Sequence, residues 1–458
     1  MVSTSANSST LPHRCLQLCI SRYTRRMSAV AADLTVSSRW ILPMTSPDEV
    51  LENHTLVIRD GRILDLLPTT LAALRYAATA HVDRSEHLLL PGLVNAHTRI
   101  APPPGLAFAP DRLHEGAQLC MAEMLEAGTT CFCSLGYFPQ ESARAAAEQG
   151  MRAVIGIPIA EAASPWAASP GEYLTRALSF RDEYRGHPTI TTAFAPQSPI
   201  AVSDATFTRI ATLANELDAG IVTTLHESRA DVDESVIRHG ARPIARLHAL
   251  GLLTPALTAV HMAVANAADL ELAQRSGIAV ALCLESSLRT GNGPPPVASW
   301  AATGLRLGLG SGIANPAGSV DLWTAMRFLA LLSMAPDGDL KSVAHHGLNA
   351  WDALAIATRG GAAALGLDAE IGTLEKGKWA DLCCIDLQRP ATQWASVAAP
   401  LSSRAARLVF NGGRDLVSDV WVSGRHLVNS RAFTRLDWPH AARRVAAQRI
   451  SPSIGDSI

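Results

Sequence analysis

The chain has little charge, and the charge that it has is balanced. Of its 458 residues, 17% are Asp, Glu, Lys or Arg, and the formal net charge is −2. A disordered chain would be poor in apolar residues, whereas 48% of this one is hydrophobic. The basic surface typical of nucleic-acid-binding proteins is not indicated either. We therefore expect a globular, enzyme-sized protein without a nucleic-acid partner.

The sequence also lacks paired cysteines. It has 8 cysteines but no C-x-x-C motif, which argues against a zinc ribbon and a disulfide framework. We expect reduced thiols in the core of a cytoplasmic protein, with Cys383 and Cys384 on a buried strand.

No apolar run is long enough to cross a membrane. The longest uncharged stretch lies between Arg246 and Asp269 and is interrupted by Pro255 and Asn266. A spanning helix needs about 20 mostly apolar residues. We therefore expect no membrane partner.

Acidic residues are missing from positions 1–26, where Arg and Ser are frequent. This composition is typical of an organellar transit peptide, or it reflects a start codon assigned too early, with Met27 as the true start. In either case we expect 1–26 to lie outside the fold.

Strand-like sequence with turns occurs at both ends of the chain. Residues 56–63 contain an apolar run, an Asp-Gly turn and a second run, which predicts a hairpin. Similar runs return at 379–386 and 419–425. We predict one small composite β-sandwich domain, built from 27–90 and 370–436, followed by a C-terminal tail at 437–458.

Between these ends, short apolar strands alternate with helical patterns. The predicted strands lie at 88–94, 129–135, 152–159, 190–195, 220–226, 257–262, 278–284 and 306–310. One helix is predicted to start at Asp204 as its N-cap, and another to stop at Gly150. The pattern predicts an α/β fold, a (β/α)8 TIM-type barrel over 91–369. A doubly wound open sheet is the alternative, but no G-x-G-x-x-G follows the first strand.

The carboxyl ends of the strands are where such a barrel holds its chemistry. In chain order, the residues found at these ends are His97, Arg99, Gln197, Thr224, His226, Glu227, His261, Glu285, Ser311 and Gly312. Histidines and acids thus recur at the expected edge.

Several segments resemble motifs of the amidohydrolase superfamily. They are LLPGLVNAHT at 89–98, GTTCF at 128–132, LHES at 225–228, AVHM at 259–262, ESSL at 285–288 and IGTLEKGKWADL at 371–382. The resemblance covers about 33–440 and is to the branch of methylthioadenosine/adenosylhomocysteine deaminases, guanine deaminases and triazine chlorohydrolases.

The resemblance implies hydrolysis of a C–N or C–Cl bond in a nitrogen heterocycle. Members of that branch hold one divalent ion with a His-x-His pair on strand one, a His on strand five, a His on strand six and an Asp on strand eight. The metal activates a water, and carboxylates move the protons. By this resemblance, His97 and His261 are metal ligands and Glu227 is the catalytic proton shuttle.

The other ligand positions differ from the family pattern. Arg99, Thr224 and Gly312 stand where the second strand-one His, the strand-five His and the strand-eight Asp are expected. Two imidazoles are a poor cage, since catalytic zinc usually has three protein ligands, and a guanidinium repels a cation. We expect a pseudoenzyme that is impaired or non-catalytic towards the family reaction, and no resident metal, with Zn or Fe as the alternative.

Other interpretations stay open. His226 could replace the lost ligand if the strand end shifted, because it would share a face with Thr224. An active hydrolase of a purine, pterin or triazine could use a remodelled site, or a metal-free one with Arg99 as electrophile and Glu227 as base. His97 and His261 could also be core residues with ordinary hydrogen bonds.

A small neutral heterocycle is the ligand that we expect. The predicted substrate-binding residues are Arg99, Gln197, Thr224 and Glu285. The resemblance also favours a homodimer, or a hetero-oligomer with a catalytic paralogue.

Overall fold

The computed structural model describes residues 29–47, 49–100, 109–293, 295, 297, 300, 303–314, 319–334, 348–390 and 401–450. The predicted extension at 1–26 lies outside these ranges, as does the end of the predicted tail.

Strands from both ends of the chain form one eight-stranded sheet. They are β1 (Val30–Ile41), β2 (Leu51–Arg59), β3 (Arg62–Pro68), β4 (Tyr76–Pro91), β14 (Leu382–Asp386), β15 (Val417–Val422), β16 (Arg425–Asn429) and β17 (Ala432–Phe433). Their order is β17-β16-β15-β14-β4-β1-β2-β3. Neighbours run antiparallel except β1 and β4, which are parallel. Helix α1 (Thr69–Arg75) precedes β4.

The predicted hairpin joins β2 to β3. Its turn residues Asp60 and Gly61 have φ of 53° and 75°, the conformation that a two-residue type I′ turn requires. A Cβ at Gly61 would lie 2.7 Å from the backbone oxygen of Ser423, so glycine lets this turn contact the β15–β16 turn. The sheet therefore curls until its outer hairpins meet, and the predicted sandwich is one curled sheet.

Eight parallel barrel strands form the second sheet, with helices around them. The strands are β5 (Leu93–Ile100), β6 (Thr129–Leu135), β7 (Arg152–Ile159), β8 (Ile190–Pro196), β9 (Gly220–Leu225), β10 (Leu257–His261), β11 (Ala279–Leu282) and β12 (Arg306–Leu309). A short ninth segment, β13 (Gly312–Ala314), continues from β12 and pairs with β5. This pairing nearly closes the barrel and confirms the predicted TIM-type fold.

The helices of the barrel and of the C-terminal region follow the strands in sequence. They are α2 (Pro110–Glu126), α3 (Pro139–Gln149), α4 (Pro170–Glu183), α5 (Asp204–Leu217), α6 (Arg229–His239), α7 (Pro243–Ala249), α8 (Ala267–Ser276), α9 (Leu284–Arg289), α10 (Leu322–Ser333), α11 (Ala350–Ala355), α12 (Gly361–Ala364), α13 (Leu401–Asn411) and α14 (Trp438–Ile450). A π-helical segment, Ile356–Gly360, joins α11 to α12. Within the predicted tail, α14 packs against α2, and Arg444 pairs with the buried Glu115.

Two details of the prediction were wrong. The first barrel strand is β5, whereas most of the predicted 88–94 belongs to β4. The apolar run is buried in both sheets, so periodicity does not separate them. The N-cap of α5 is Ser203, whose hydroxyl accepts from the backbone N–H of Thr206 at 3.2 Å. The predicted stop at Gly150 is confirmed, with φ of 77°.

A buried ion pair joins the barrel to the curled sheet. Arg152, at the start of β7, donates to both carboxylate oxygens of Asp381 at 2.6 and 3.1 Å. The same carboxylate accepts the backbone N–H of Ser423 at 2.7 Å. Among the described residues, no helix combines the length and apolarity needed to span a membrane.

Candidate functional site

Two buried imidazoles face each other at the carboxyl ends of barrel strands. His97 lies on β5 and His261 ends β10; their ring centroids are 6.0 Å apart, and the rings are 2% and 5% exposed. Within the described ranges, the Nδ1 atom of each ring has no hydrogen-bond partner. Buried polar atoms normally have partners, and the exceptions often mark functional sites.

The surroundings of both rings favour the neutral imidazole. Burial lowers the pKa of His97 well below 6.5, and the Arg99 guanidinium, like a protonated His261, acts in the same direction. Burial also lowers the pKa of His261, although the Glu227 carboxylate opposes the effect. Neutral imidazole is the form that binds metal ions.

Glu227, the predicted proton shuttle, lies beside His261. Its Oε1 atom is 3.7 Å from Nε2 of that ring, and its side chain is 34% exposed. The carboxylate therefore keeps contact with both the imidazole and solvent. The backbone of His261 has a φ of 77°, a left-handed conformation that is costly for a residue with a side chain and concentrates at functional sites.

Cys283, which we predicted only as a core thiol, joins the two histidines. One ligand atom each from His97, His261 and Cys283 lies within 4.8 Å of the other two. Cys283 directly follows β11, at the same end of the barrel as the imidazoles. Its position after a barrel strand was the signal that sequence reasoning missed. Burial raises the pKa of its thiol.

Gly312 begins β13, just after the eighth barrel strand, β12. Its φ is 77°, and an added Cβ would lie 2.8 Å from the Cβ of Ser286. The neighbouring Ser311 is fixed by two hydrogen bonds with Asn95, at 2.9 and 3.1 Å. The backbone at 312 therefore resists any side chain, including the carboxylate that the resemblance places there.

The side chains of Thr224 and His226 bond to other partners than His97 and His261. The Thr224 hydroxyl donates to the backbone oxygen of Gln197 at 2.9 Å. His226 follows the last residue of β9 with a φ of 50°. Its Nε2 accepts the backbone N–H of Ile244 at 3.3 Å, and Nδ1 lies 3.5 Å from a guanidinium nitrogen of Arg242.

The shared face assumed for Thr224 and His226 was wrong, because strand alternation ends at Leu225. His226 is instead held between α7 and α8, near Asp269. Burial lowers the pKa of its imidazole to about 4.

A small cavity of about 100 Å³ opens at the ends of β5 to β8. Its lining is mostly apolar, and its polar side chains are Arg99, Tyr137 and Gln197. Arg99 and Gln197, two of the predicted substrate-binding residues, thus line the same cavity. Glu285 is paired on α9 with Arg289 at 3.3 Å and does not line this cavity.

The residues do not fit the metal-ligand set that the resemblance implies. Arg99 lines the cavity with a cation, Thr224 bonds to backbone, and Gly312 has no side chain. In the described part of the chain, the cluster of at least three potential ligands at this edge is His97, His261 and Cys283. Its chemistry differs from the family's histidine and aspartate set.

Comparison with known proteins identifies relatives along most of the chain. A model of the amidohydrolase family matches residues 88–427. A protein of Teredinibacter turnerae named 5-methylthioadenosine/S-adenosylhomocysteine deaminase is 34% identical over 91% of this chain and 97% of its own length. Its namesake in Saccharophagus degradans is 35% identical over 89% of this chain and 94% of its own.

Solved structures have the same fold. A zinc-bound adenosine deaminase from Xanthomonas campestris superposes with a TM-score of 0.86, at 33% identity over 92% of this chain and 98% of its own. A variant atrazine chlorohydrolase from Arthrobacter aurescens, in complex with zinc and atraton, gives 0.80 at 20% identity, over 90% and 99%. At that identity, the second likeness concerns the fold alone.

Proposed function

The chain belongs to the amidohydrolase family, and from this premise we propose that it binds a small nitrogen heterocycle without hydrolysing it by the family reaction. The observation that carries the proposal is the end of the eighth strand. Gly312 has no side chain, and the 2.8 Å approach of Ser286 to its Cβ position leaves no room for one. A carboxylate that would exchange protons with Glu227 is therefore absent at this position.

The cavity at the ends of β5 to β8 supplies the binding site in this proposal. Its volume of about 100 Å³ is below the roughly 300–1,000 Å³ of pockets for drug-sized ligands. This size favours a single ring over a whole nucleoside. Apolar walls cover the ring faces, and the Arg99 guanidinium donates hydrogen bonds to ring nitrogens or exocyclic oxygens.

Calorimetric titration of the full chain with cytosine, uracil, cyanuric acid and adenine tests binding. We expect at least one single-ring compound to bind and to be recovered unchanged by chromatography. Arg99→Met should weaken binding by about 10- to 100-fold, since hydrogen bonds to charged groups contribute about 1.5–3 kcal/mol. Arg289→Met, at the ion pair with Glu285 on α9, is the matched control and should bind normally. No binding by any ring compound would reject the proposal.

An active hydrolase is the second candidate, favoured by one observation. The Glu227 carboxylate remains 3.7 Å from His261, where a general base could act on a water. In this case ammonia would be released from a heterocyclic amine, and Glu227→Gln would abolish the release. Turnover that persists in the Glu227→Gln variant would exclude this candidate as well as the proposal of binding without hydrolysis.

A further inference from the structure

The His97, His261 and Cys283 side chains converge at one point of the barrel mouth. Their ligand atoms lie within 4.8 Å of one another, and all three residues are buried. In a tetrahedral site, bond lengths of about 2.0–2.3 Å separate neighbouring ligand atoms by about 3.3–3.6 Å. The 4.8 Å limit exceeds these separations by roughly 1.2–1.5 Å.

The backbone is shaped to let these side chains approach. A Cβ at Gly310 would lie 2.9 Å from the Cys283 sulfur and 3.0 Å from the Cβ of His97. Any larger residue at 310 would drive the two apart. The cluster therefore depends on a glycine that directly follows the eighth barrel strand, β12, in addition to His97, His261 and Cys283.

The unpartnered nitrogens point to a ligand. Across the described residues, no hydrogen bond satisfies Nδ1 of His97 or of His261. Each buried donor or acceptor that is left unpaired destabilises the folded protein. A bound cation would satisfy imidazole nitrogens that the protein itself leaves without partners.

The donor set determines which ion fits. Two imidazoles and a thiolate favour soft or borderline ions such as Zn²⁺ and Co²⁺ over Mg²⁺, Ca²⁺ or Mn²⁺, which prefer oxygen. A thiol that coordinates zinc is deprotonated outright, so binding releases a proton and adds one negative charge. This charge, with the Glu227 carboxylate 3.7 Å from His261, offsets the repulsion from the Arg99 guanidinium.

We propose that His97, His261 and Cys283 form a zinc site with two nitrogen ligands and one sulfur ligand, distinct from the ligand set implied for the family. The site needs neither Arg99, Thr224 nor Gly312 to coordinate. It goes beyond the proposed function, because a zinc ion bound in this way is compatible with either ligand binding or hydrolysis.

Titration of the full chain with Co²⁺, after removal of metal and without a chelating tag, tests the site. Co²⁺ bound to a thiolate gives an intense near-ultraviolet charge-transfer band, which histidine and carboxylate ligands do not give. We expect one equivalent of Co²⁺ to produce this band and Zn²⁺ to displace it. Cys283→Ala should remove the band and weaken binding by at least about 100-fold, because even outer-shell changes cost about 10- to 100-fold.

Cys133→Ala is the matched control. Cys133 is buried in the same cluster of side chains inside the barrel as Cys283 but lies outside the histidine group, so binding and the band should persist.

His261→Ala is the second test variant, and near-ultraviolet circular dichroism of each metal-free variant verifies its fold. Co²⁺ binding without the band, unchanged binding by Cys283→Ala, or no stoichiometric binding would each overturn the proposal. Ammonia release is measured separately and tests the proposed function. The Co²⁺ spectrum alone tests the assignment of the metal ligands.

Discussion

At the scale of single residues, the site is defined by side chains that are absent as much as by those that are present. Gly310 and Gly312 flank Ser311 at the end of the eighth strand, and the space that their Cβ atoms would occupy is filled by Cys283, His97 and Ser286. The ligand set that the resemblance implies has a carboxylate there. The packing at this strand end therefore leaves no space for a carboxylate side chain.

An Asp introduced at position 312 should destabilise the folded protein. Gly312→Asp combines a left-handed φ of 77° with a 2.8 Å contact to Ser286, and we expect it to lower the free energy of unfolding by about 2–4 kcal/mol. Gly366→Asp is the control, because its φ is 68° and no atom lies within 4 Å of its Cβ position. It should cost only about 1 kcal/mol. Equal losses in urea unfolding would show that Ser286 does not obstruct position 312.

His226 should make stability depend on pH. Burial lowers the pKa of its imidazole from 6.5 to about 4 in the folded protein. Between these values the unfolded chain binds more protons, so the free energy of unfolding falls as pH decreases from 6.5 to 4, by up to about 3 kcal/mol. His226→Gln should flatten this part of the urea-unfolding profile. An unchanged slope in the variant would contradict the burial of a neutral imidazole.

Single residues also show where sequence reasoning reaches its limit. His97, His261 and Glu227 were located from motifs, and the structure brings them together. Cys283 was missed because its pattern fits a core thiol equally well, and only the fold shows that it lies beside two histidines. His226 was misplaced because strand alternation was carried past the strand end.

At the scale of elements, a turn and a helix end could be predicted from the sequence, whereas the boundary between two strands could not. The Asp-Gly turn between β2 and β3 and the stop at Gly150 depend on positive φ within a few residues, which sequence reveals directly. The change from β4 to β5 at Gly92 was not visible, because both strands are apolar. A Cβ at Gly92 would lie 2.0 Å from the hydroxyl oxygen of Thr130, a contact between distant segments that sequence does not report.

The ion pair between Arg152 and Asp381 joins the barrel to the curled sheet. Asp381→Asn should lower the free energy of unfolding by about 3–5 kcal/mol, because it leaves a buried guanidinium without its countercharge. Replacing both partners, with Arg152→Met and Asp381→Leu, should recover part of the loss. Glu271→Gln breaks an exposed pair with Arg275 and should cost less than about 1 kcal/mol. An Asp381→Asn variant as stable as Glu271→Gln would show that the two sheets do not depend on this pair.

At the scale of the whole molecule, the chain has the architecture of its family, and our proposal is that the chemistry at the mouth of the barrel differs. The TM-score of 0.86 with an adenosine deaminase and the matched span of 88–427 concern the scaffold. The scaffold could be predicted because alternating strands, helices and motifs extend over most of the sequence. The chemistry could not, because a few positions at strand ends decide it and their side-chain contacts appear only in three dimensions.

Ammonia release from 5-methylthioadenosine, S-adenosylhomocysteine and adenosine tests the central claim most directly. The full chain, purified without a chelating tag and supplied with excess Zn²⁺, is compared with its Glu227→Gln variant and with the Teredinibacter turnerae relative as a positive control. Our account predicts release at the uncatalysed rate from both forms of this chain and rapid release from the relative. Release by the wild-type chain that Glu227→Gln abolishes would contradict it.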